Sequence, residues 1–179
     1  MPVNPKICAT LALCFWCSAI SAQSYLQRIV VVDKNEILRA LPAYGDALEY
    51  LEEREKEWKR DEEERCRVRD SVKERLMIRR VVMADEDVAR EERRCEMMSR
   101  EIDSIKMARY ASGGEYEREY ERVVGPIERQ VRREIEEYAT RNKVSVVIDK
   151  SDVGVLYVDK YSDVSASITE RVKRNYKKE

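Results

Sequence analysis

At 179 residues the chain has room for one domain, or one domain plus an extension. Charged residues make up 40% and aromatic residues 7%; such a chain cannot bury a large globular core, yet it does not read as disordered, because its apolar residues recur at helical spacing. Lys and Arg number 35 against 36 Asp and Glu, a near-neutral balance that argues against nucleic acid or another polyanion as the main partner, and the absence of histidine removes the commonest general base and metal ligand.

Residues 1–22 carry one early Lys, an apolar run from Ile7 to Ile20, and then Ser21-Ala22, the pattern of a secretory signal peptide. The run is too short for a comfortable transmembrane helix. Cleavage after Ala22 leaves Gln23 first, with Ile20 at the −3 position; cleavage after Ser21 puts Ala19 there instead. Leu13 before Cys14 and Trp16 before Cys17 fit no lipoprotein site, and an uncleaved anchor is the bland alternative. The expected product is exported and soluble, and periplasmic in a cell with two membranes. Of the five cysteines only Cys66 and Cys95 lie beyond the leader. A bridge between them would need a helical turn centred near residue 80 or 81; the turn is placed nearer 84, so two free, partly buried thiols are expected.

Arg28 to Val32 is a β-branched run and reads as a strand. Asp33 with Glu36 three residues later forms an Asp version of the pairing that opens helices, so a short helix is expected over Lys34 to Ala40, ending before Pro42. From Ala43 to Asn142 the chain reads as two long helices folded back near Met83–Asp87, the first on the order of 60 Å long. Tyr44, Leu48, Leu51, Trp58, Val72 and Leu76 form a narrow apolar seam in an otherwise charged helix, the sign of coiled-coil-like pairing. Glu55 and Glu62 on or near that seam predict loose pairing there. The remaining charges read mostly as a solvated face. Arg79, Arg80, Met83 and Asp85 mark the tip, with Asp85 expected to cap the returning helix.

Cys95, Met98, Ile102 and Ile105 continue the seam. Ser112-Gly113-Gly114 breaks it as a kink or short loop, and Gly125-Pro126 bends the chain as it nears the body. Tyr116, Tyr120, Val123, Ile127, Val131, Ile135 and Tyr138 form the last stripe, where packing is the expected role of the tyrosines. Val144 to Ile148 and Val153 to Val158, separated by a turn at Asp149–Asp152, read as a pair of hairpin strands. Asp163 or Ser165 caps a final helix with Ile168 and Val172 on its inner face. The domains expected are thus a leader (1–22), a β-rich body from both ends (23–42 and 143–179), and a helical hairpin between them (43–142). The fold class is α+β, predominantly α. So small a body predicts oligomerisation, because its strand edges and apolar faces need partners.

The segments Arg28-Ile-Val-Val-Val-Asp33, Glu36-Ile37-Leu38 and Leu41-Pro42-Ala43-Tyr44 resemble the Skp/OmpH family of periplasmic chaperones. So do Val146 to Ser151, Val155 to Asp159 and Asp163 to Ile168 near the other end. The order of parts covers nearly the whole chain beyond the leader; the helical middle matches in character and length only. The resemblance implies a homotrimer. In it Ile29, Val30, Val31, Val32, Val146, Val147, Ile148, Val155, Leu156, Tyr157 and Val158 lie in a central β body, from which three hairpins hang like tentacles around a cavity. It implies an ATP-independent holdase for unfolded outer-membrane proteins. Beside it, the charge balance and the short apolar run predict no nucleic acid and no stable membrane insertion, no cofactor is expected, and a weak contact with a membrane surface is left open.

Some members are strongly basic at the tips. Here Arg79 and Arg80 are mixed with Asp85, Glu86 and Asp87, so the resemblance leaves electrostatic capture and lipopolysaccharide contact open. The glycines Gly113, Gly114 and Gly125, with Pro126, depart from a plain hairpin and are candidate hinges; Gly113→Ala with Gly114→Ala would then narrow the range of clients held. The alternative reading is a structural coiled-coil protein of the envelope with no client. An enzyme would have to use Cys66 or Cys95 with nearby carboxylates, and without histidine or a glycine-rich loop no usual nucleophile or phosphate site can be assembled.

Overall fold

The computed structural model describes residues 28–151 and 154–176. Strand β1 spans Ile29–Val32 and the short helix α1 spans Lys34–Arg39. Asp33 caps α1, its carboxylate accepting a bond from Glu36 N at 2.8 Å. Pro42 opens α2, Pro42–Arg79, where its missing N–H costs nothing. A 3₁₀ turn over Arg80–Val82 leads to α3, Asp85–Tyr110, then α4, Glu115–Val123, and α5, Gly125–Arg141. Strand β2 is Val146–Asp149 and α6 is Ser165–Tyr176.

The sheet pairs β1 with β2 in parallel, Ile29 beside Val146 and Val32 beside Asp149. The whole helical section is therefore the crossover between them. On its other side β1 bonds to the chain entering α6, Val31 N to Ser162 O at 2.8 Å and Val164 N to Val31 O at 2.9 Å. With a neighbour on each edge, β1 is buried at Val30, Val31 and Val32 alike, which is why its sequence is a continuous apolar run.

The expected hairpin of Val144–Ile148 with Val153–Val158 does not form. Val153 lies outside the described residues, and 155–159 has no regular structure. The reason is local. Ser151 donates from both N and Oγ to Asp149 Oδ1, and Lys150 N donates to Val32 O at 2.7 Å. Those bonds tie the end of β2 to the end of β1, and the chain then passes to the far edge of β1 to make the Ser162–Val164 contact.

The core sits where β1, α1, the first turns of α2, α5 and α6 meet. It holds Val30, Val32, Ile37, Leu38, Leu41, Leu51, Val124, Ile127, Val131, Val164, Ile168 and Val172. Ile37 and Ile168 are fully enclosed, and truncating either to Ala removes about 2–5 kcal/mol. Beyond this core α2 continues as a helix roughly 60 Å long in all. α3 lies against it in the opposite direction, pairing Arg80 with Glu92, Arg65 with Glu101 and Asp61 with Arg109.

The seam of α2 buries Ala47, Leu51, Trp58 and Val72; Leu48, expected on it, is exposed instead. Asp85 does not cap α3. It is the first helical residue, following Ala84, and with Glu86 and Asp87 it places acidic charge at the positive end of the helix. Cys66 and Cys95 are free and half-buried.

Candidate functional site

Among the described residues no group of His, Cys, Asp or Glu could hold a metal, and no helix is long and apolar enough to cross a membrane. The features that stand out are instead two surfaces and the joints between them.

The first surface is the outer face of the sheet. Parallel pairing sets Ile29 beside Val146 and Val31 beside Ile148 on one face, while Val30 and Val147 turn to the core. Ile29, Val146 and Ile148 are left exposed there. Further along the chain Leu156 is 99% and Tyr157 84% exposed. Of the residues expected in the body, Val30, Val31 and Val32 are thus buried within one chain. Ile29, Val146, Ile148, Leu156 and Tyr157 are not, and Val147, Val155 and Val158 lie between.

Behind this face a carboxylate network gathers the ends of β1, β2, α1 and α6. Lys150 Nζ lies 2.7 Å from Asp163, 3.8 Å from Glu36 and 3.9 Å from Asp33. Asp33 N donates to Ser165 Oγ and Lys34 N to Asp149 Oδ1. Burial pushes the Asp163 carboxyl up, but the bonds from Lys150 and Ser165 outweigh it and hold the group below its ordinary range. The same balance, with Ser151 and Lys34 as donors, lowers Asp149. The bond to Asp163 raises Lys150. These residues fall within the motifs singled out in the sequence, where pairing between them was invisible.

The second surface is the α2–α3 pair. Its far end exposes Val81 at 92% and Val82 at 85%, beside the expected tip residues Arg79, Arg80 and Met83. Arg80 is held to Glu92 at 3.3 Å, and Met83 is half-buried. Apolar side chains elsewhere on the pair, such as Val68, Met97 and Met107, are scattered among charges rather than gathered into a patch.

At mid-length the expected looseness around Glu62 is absent. Arg109 reaches in from α3 and donates to Asp61 Oδ2 at 2.6 Å, to Trp58 O at 3.1 Å and to Glu62 Oε1 at 3.4 Å. The guanidinium holds Asp61 below its ordinary range. Trp58 is buried between Arg54, Arg109 and the edge of Tyr110. Sequence reading missed Arg109, because an arginine on a helical seam reads as an interruption until the facing helix is in register. It likewise missed Glu134, buried on α5, which accepts from Arg171 of α6 at 3.1 Å.

The four candidate hinge residues occupy the joints. Gly113 adopts φ 74°, and Gly114 packs so closely that a Cβ would meet Ala111 O at 2.6 Å and Arg109 O at 2.7 Å. Gly125 and Pro126 begin α5 directly after Val124, where α4 ends.

A family model described as outer membrane protein (OmpH-like) matches residues 28–172. Among solved structures, the chain is similar to an outer membrane chaperone described as OmpH-like from Caulobacter crescentus CB15, solved at 2.83 Å. The TM-score is 0.66 at 10% identity, over 84% of this chain and 86% of that one, a likeness of fold. No curated protein matches.

Proposed function

The chain belongs to the OmpH-like outer membrane protein family, and on that premise we propose that it is an exported holdase chaperone that keeps unfolded outer-membrane proteins from aggregating without ATP. In this reading the chain works in the periplasm as a homotrimer. The sheet faces and the 155–158 segments form the trimer body, and each α2–α3 pair is a helical hairpin projecting from it. Clients are held in the cavity between the three projections.

The observation that carries the reading is the division of the molecule. One end is a small core with an unfinished apolar face. The other is a long charged pair of helices with apolar side chains dispersed along it and no metal-ligand cluster among the described residues. Dispersed weak contacts around one cavity give avidity with quick release, whereas one large apolar patch would give tight, slow binding or self-association. A chaperone that must hand its client on needs the former. A description as an outer membrane chaperone for the protein from Caulobacter crescentus agrees with this.

The test is dilution of a urea-unfolded outer-membrane β-barrel protein into buffer with the chain from Gln23 onward. Suppressed light scattering at about one trimer per client, with no nucleotide present, is the expected result. Undiminished scattering from a folded, oligomeric sample would favour a structural coiled-coil role in the envelope.

A further inference from the structure

Beyond residues 1–22, sulfur is confined to one part of this chain. Apart from Met1, every methionine lies between residues 77 and 107, and both cysteines beyond the leader, Cys66 and Cys95, lie on the same pair of helices. The core around β1 contains none. The methionines divide into two sets. Met83 and Met98 are half-buried, Met83 beside Val72 and Leu76, Met98 beside Val68 and Ile102. Met77, Met97 and Met107 are 64%, 62% and 66% exposed.

Their positions follow from helix geometry. Each exposed methionine stands five residues from a buried seam residue, Met77 from Val72 and Met97 and Met107 from Ile102 on either side. Five residues turn an α-helix by about 140° beyond a full circle, so each methionine is turned well away from that buried residue. All three stand mostly in solvent, Met77 at the border of the groove that it lines with Glu92, Cys95 and Ser99 of α3. They are flexible, polarisable apolar groups left in solvent on the projecting part of the molecule, where a loosely held chain would meet them.

We propose that Met77, Met97 and Met107 are a modification site, at which two-electron oxidants of the hypochlorous acid or peroxide class convert the capture surface from apolar to polar. The inference rests on the chaperone reading above. In the step with hypochlorous acid the thioether sulfur gives up two electrons and gains the oxygen. Chlorine is reduced to chloride and one proton is released; with hydrogen peroxide the by-product is water. The product is a sulfoxide, a polar group that a sulfoxide reductase reverses. Because the three residues lie outside seam and core, the fold survives the change while the apolar contacts to a client weaken. Met83 and Met98, half-buried, react later.

The experiment uses the chain from Gln23 with Cys66→Ser and Cys95→Ser, so that thiol oxidation cannot contribute. It is treated with a small molar excess of hypochlorous acid, quenched, and mapped by peptide mass spectrometry. Helicity is followed by circular dichroism and capture by scattering of the diluted β-barrel client. The expected result is oxygen gained at Met77, Met97 and Met107 before Met83 and Met98, unchanged helicity, and severalfold more protein needed for half-suppression. Adding Met77→Leu, Met97→Leu and Met107→Leu, which conserve volume and helix propensity, should preserve capture after the same treatment.

Full capture by a sample shown to carry the three sulfoxides would overturn the inference and leave the chaperone reading intact. So would equal loss of capture in the leucine variant. Failure of the untreated protein to suppress scattering would overturn both.

Discussion

A single ammonium, that of Lys150, joins three acidic groups that come from both ends of the chain. Asp33 and Glu36 belong to the first strand–helix junction, and Asp163 to the last. Replacing Lys150 by Met keeps most of the stem's packing but leaves Asp163 with Ser165 as its remaining donor. We expect Lys150→Met to cost about 1 kcal/mol, read as a lower urea midpoint; an unchanged midpoint would show that solvent replaces the ammonium at no cost. The network also sets an acid limit. Asp149 and Asp163 are held below their ordinary value of 3.8 when folded. Each therefore adds stability at pH above 3.8 and gives it up as pH falls through its lower folded value. Lys150, raised above 10.5, adds stability below 10.5 and loses it only as pH climbs through its folded value. Between these limits the contribution is complete. Asp163→Asn should be less stable than the parent at neutral pH, and should lose less on acidification below 3.8. Urea midpoints that fall in parallel for the two proteins would rule Asp163 out as a source of the acid loss.

Among the elements, the joint between α3 and α4 is where the structure changes the meaning of the sequence. Paired glycines suggest slack. Here Gly114 N donates to Ala111 O at 2.7 Å, Gly113 N to Glu117 Oε2 at 2.6 Å, and Arg118 Nη1 to Gly113 O at 2.6 Å. The glycines permit a tight turn that a side chain would obstruct. Gly114→Ala drives a Cβ into two backbone carbonyls and should cost about 1–3 kcal/mol in thermal or urea unfolding. Gly125→Ala first meets the movable carboxyl of Glu121 and should change stability by less than about 1 kcal/mol in either direction. Equal effects from the two would mean that the α3–α4 turn relaxes freely. Paired alanines at 113 and 114 are accordingly a poor way to stiffen the molecule, since they distort the joint they are meant to lock.

The same contrast separates what could be read in the sequence from what could not. Helical period located α2 and α3, and a β-branched run followed by Asp33 and Glu36 located β1 and α1, because each is decided by neighbours in the chain. Strand partnership is decided by distant residues. Val155 to Val158 has strand composition, yet the free side of β1 is taken by Ser162–Val164. Arg109 is the corresponding case on the helices, an apparent defect in a seam whose use depends on Asp61, Trp58 and Glu62 in another element.

For the molecule as a whole, the single chain presents an incomplete solution. Beyond β1, β2 has no second strand neighbour among the described residues, and Leu156 and Tyr157 stand in solvent on a segment without regular structure. An unpaired strand edge beside exposed apolar side chains is costly in an isolated protein and useful in an assembled one. We propose that residues 155–158 of one copy add to the β2 edge of the next. This contact is head-to-tail, and with a rotation of one third of a turn it closes into a ring of three. Sedimentation of the chain from Gln23 should then give three times the single-chain mass. Leu156→Glu with Tyr157→Glu should leave the helices intact, because neither residue packs in the core of its own chain, yet should break the ring by burying charge at its joint. The dissociated variant should also suppress client aggregation far less per chain, since one α2–α3 pair offers few of the weak contacts that three supply around a shared cavity. A trimeric double variant would remove these two residues from the interface. A dissociated variant that holds clients as well as the parent would mean that capture takes place along single helical pairs, and the cavity would have no part in it.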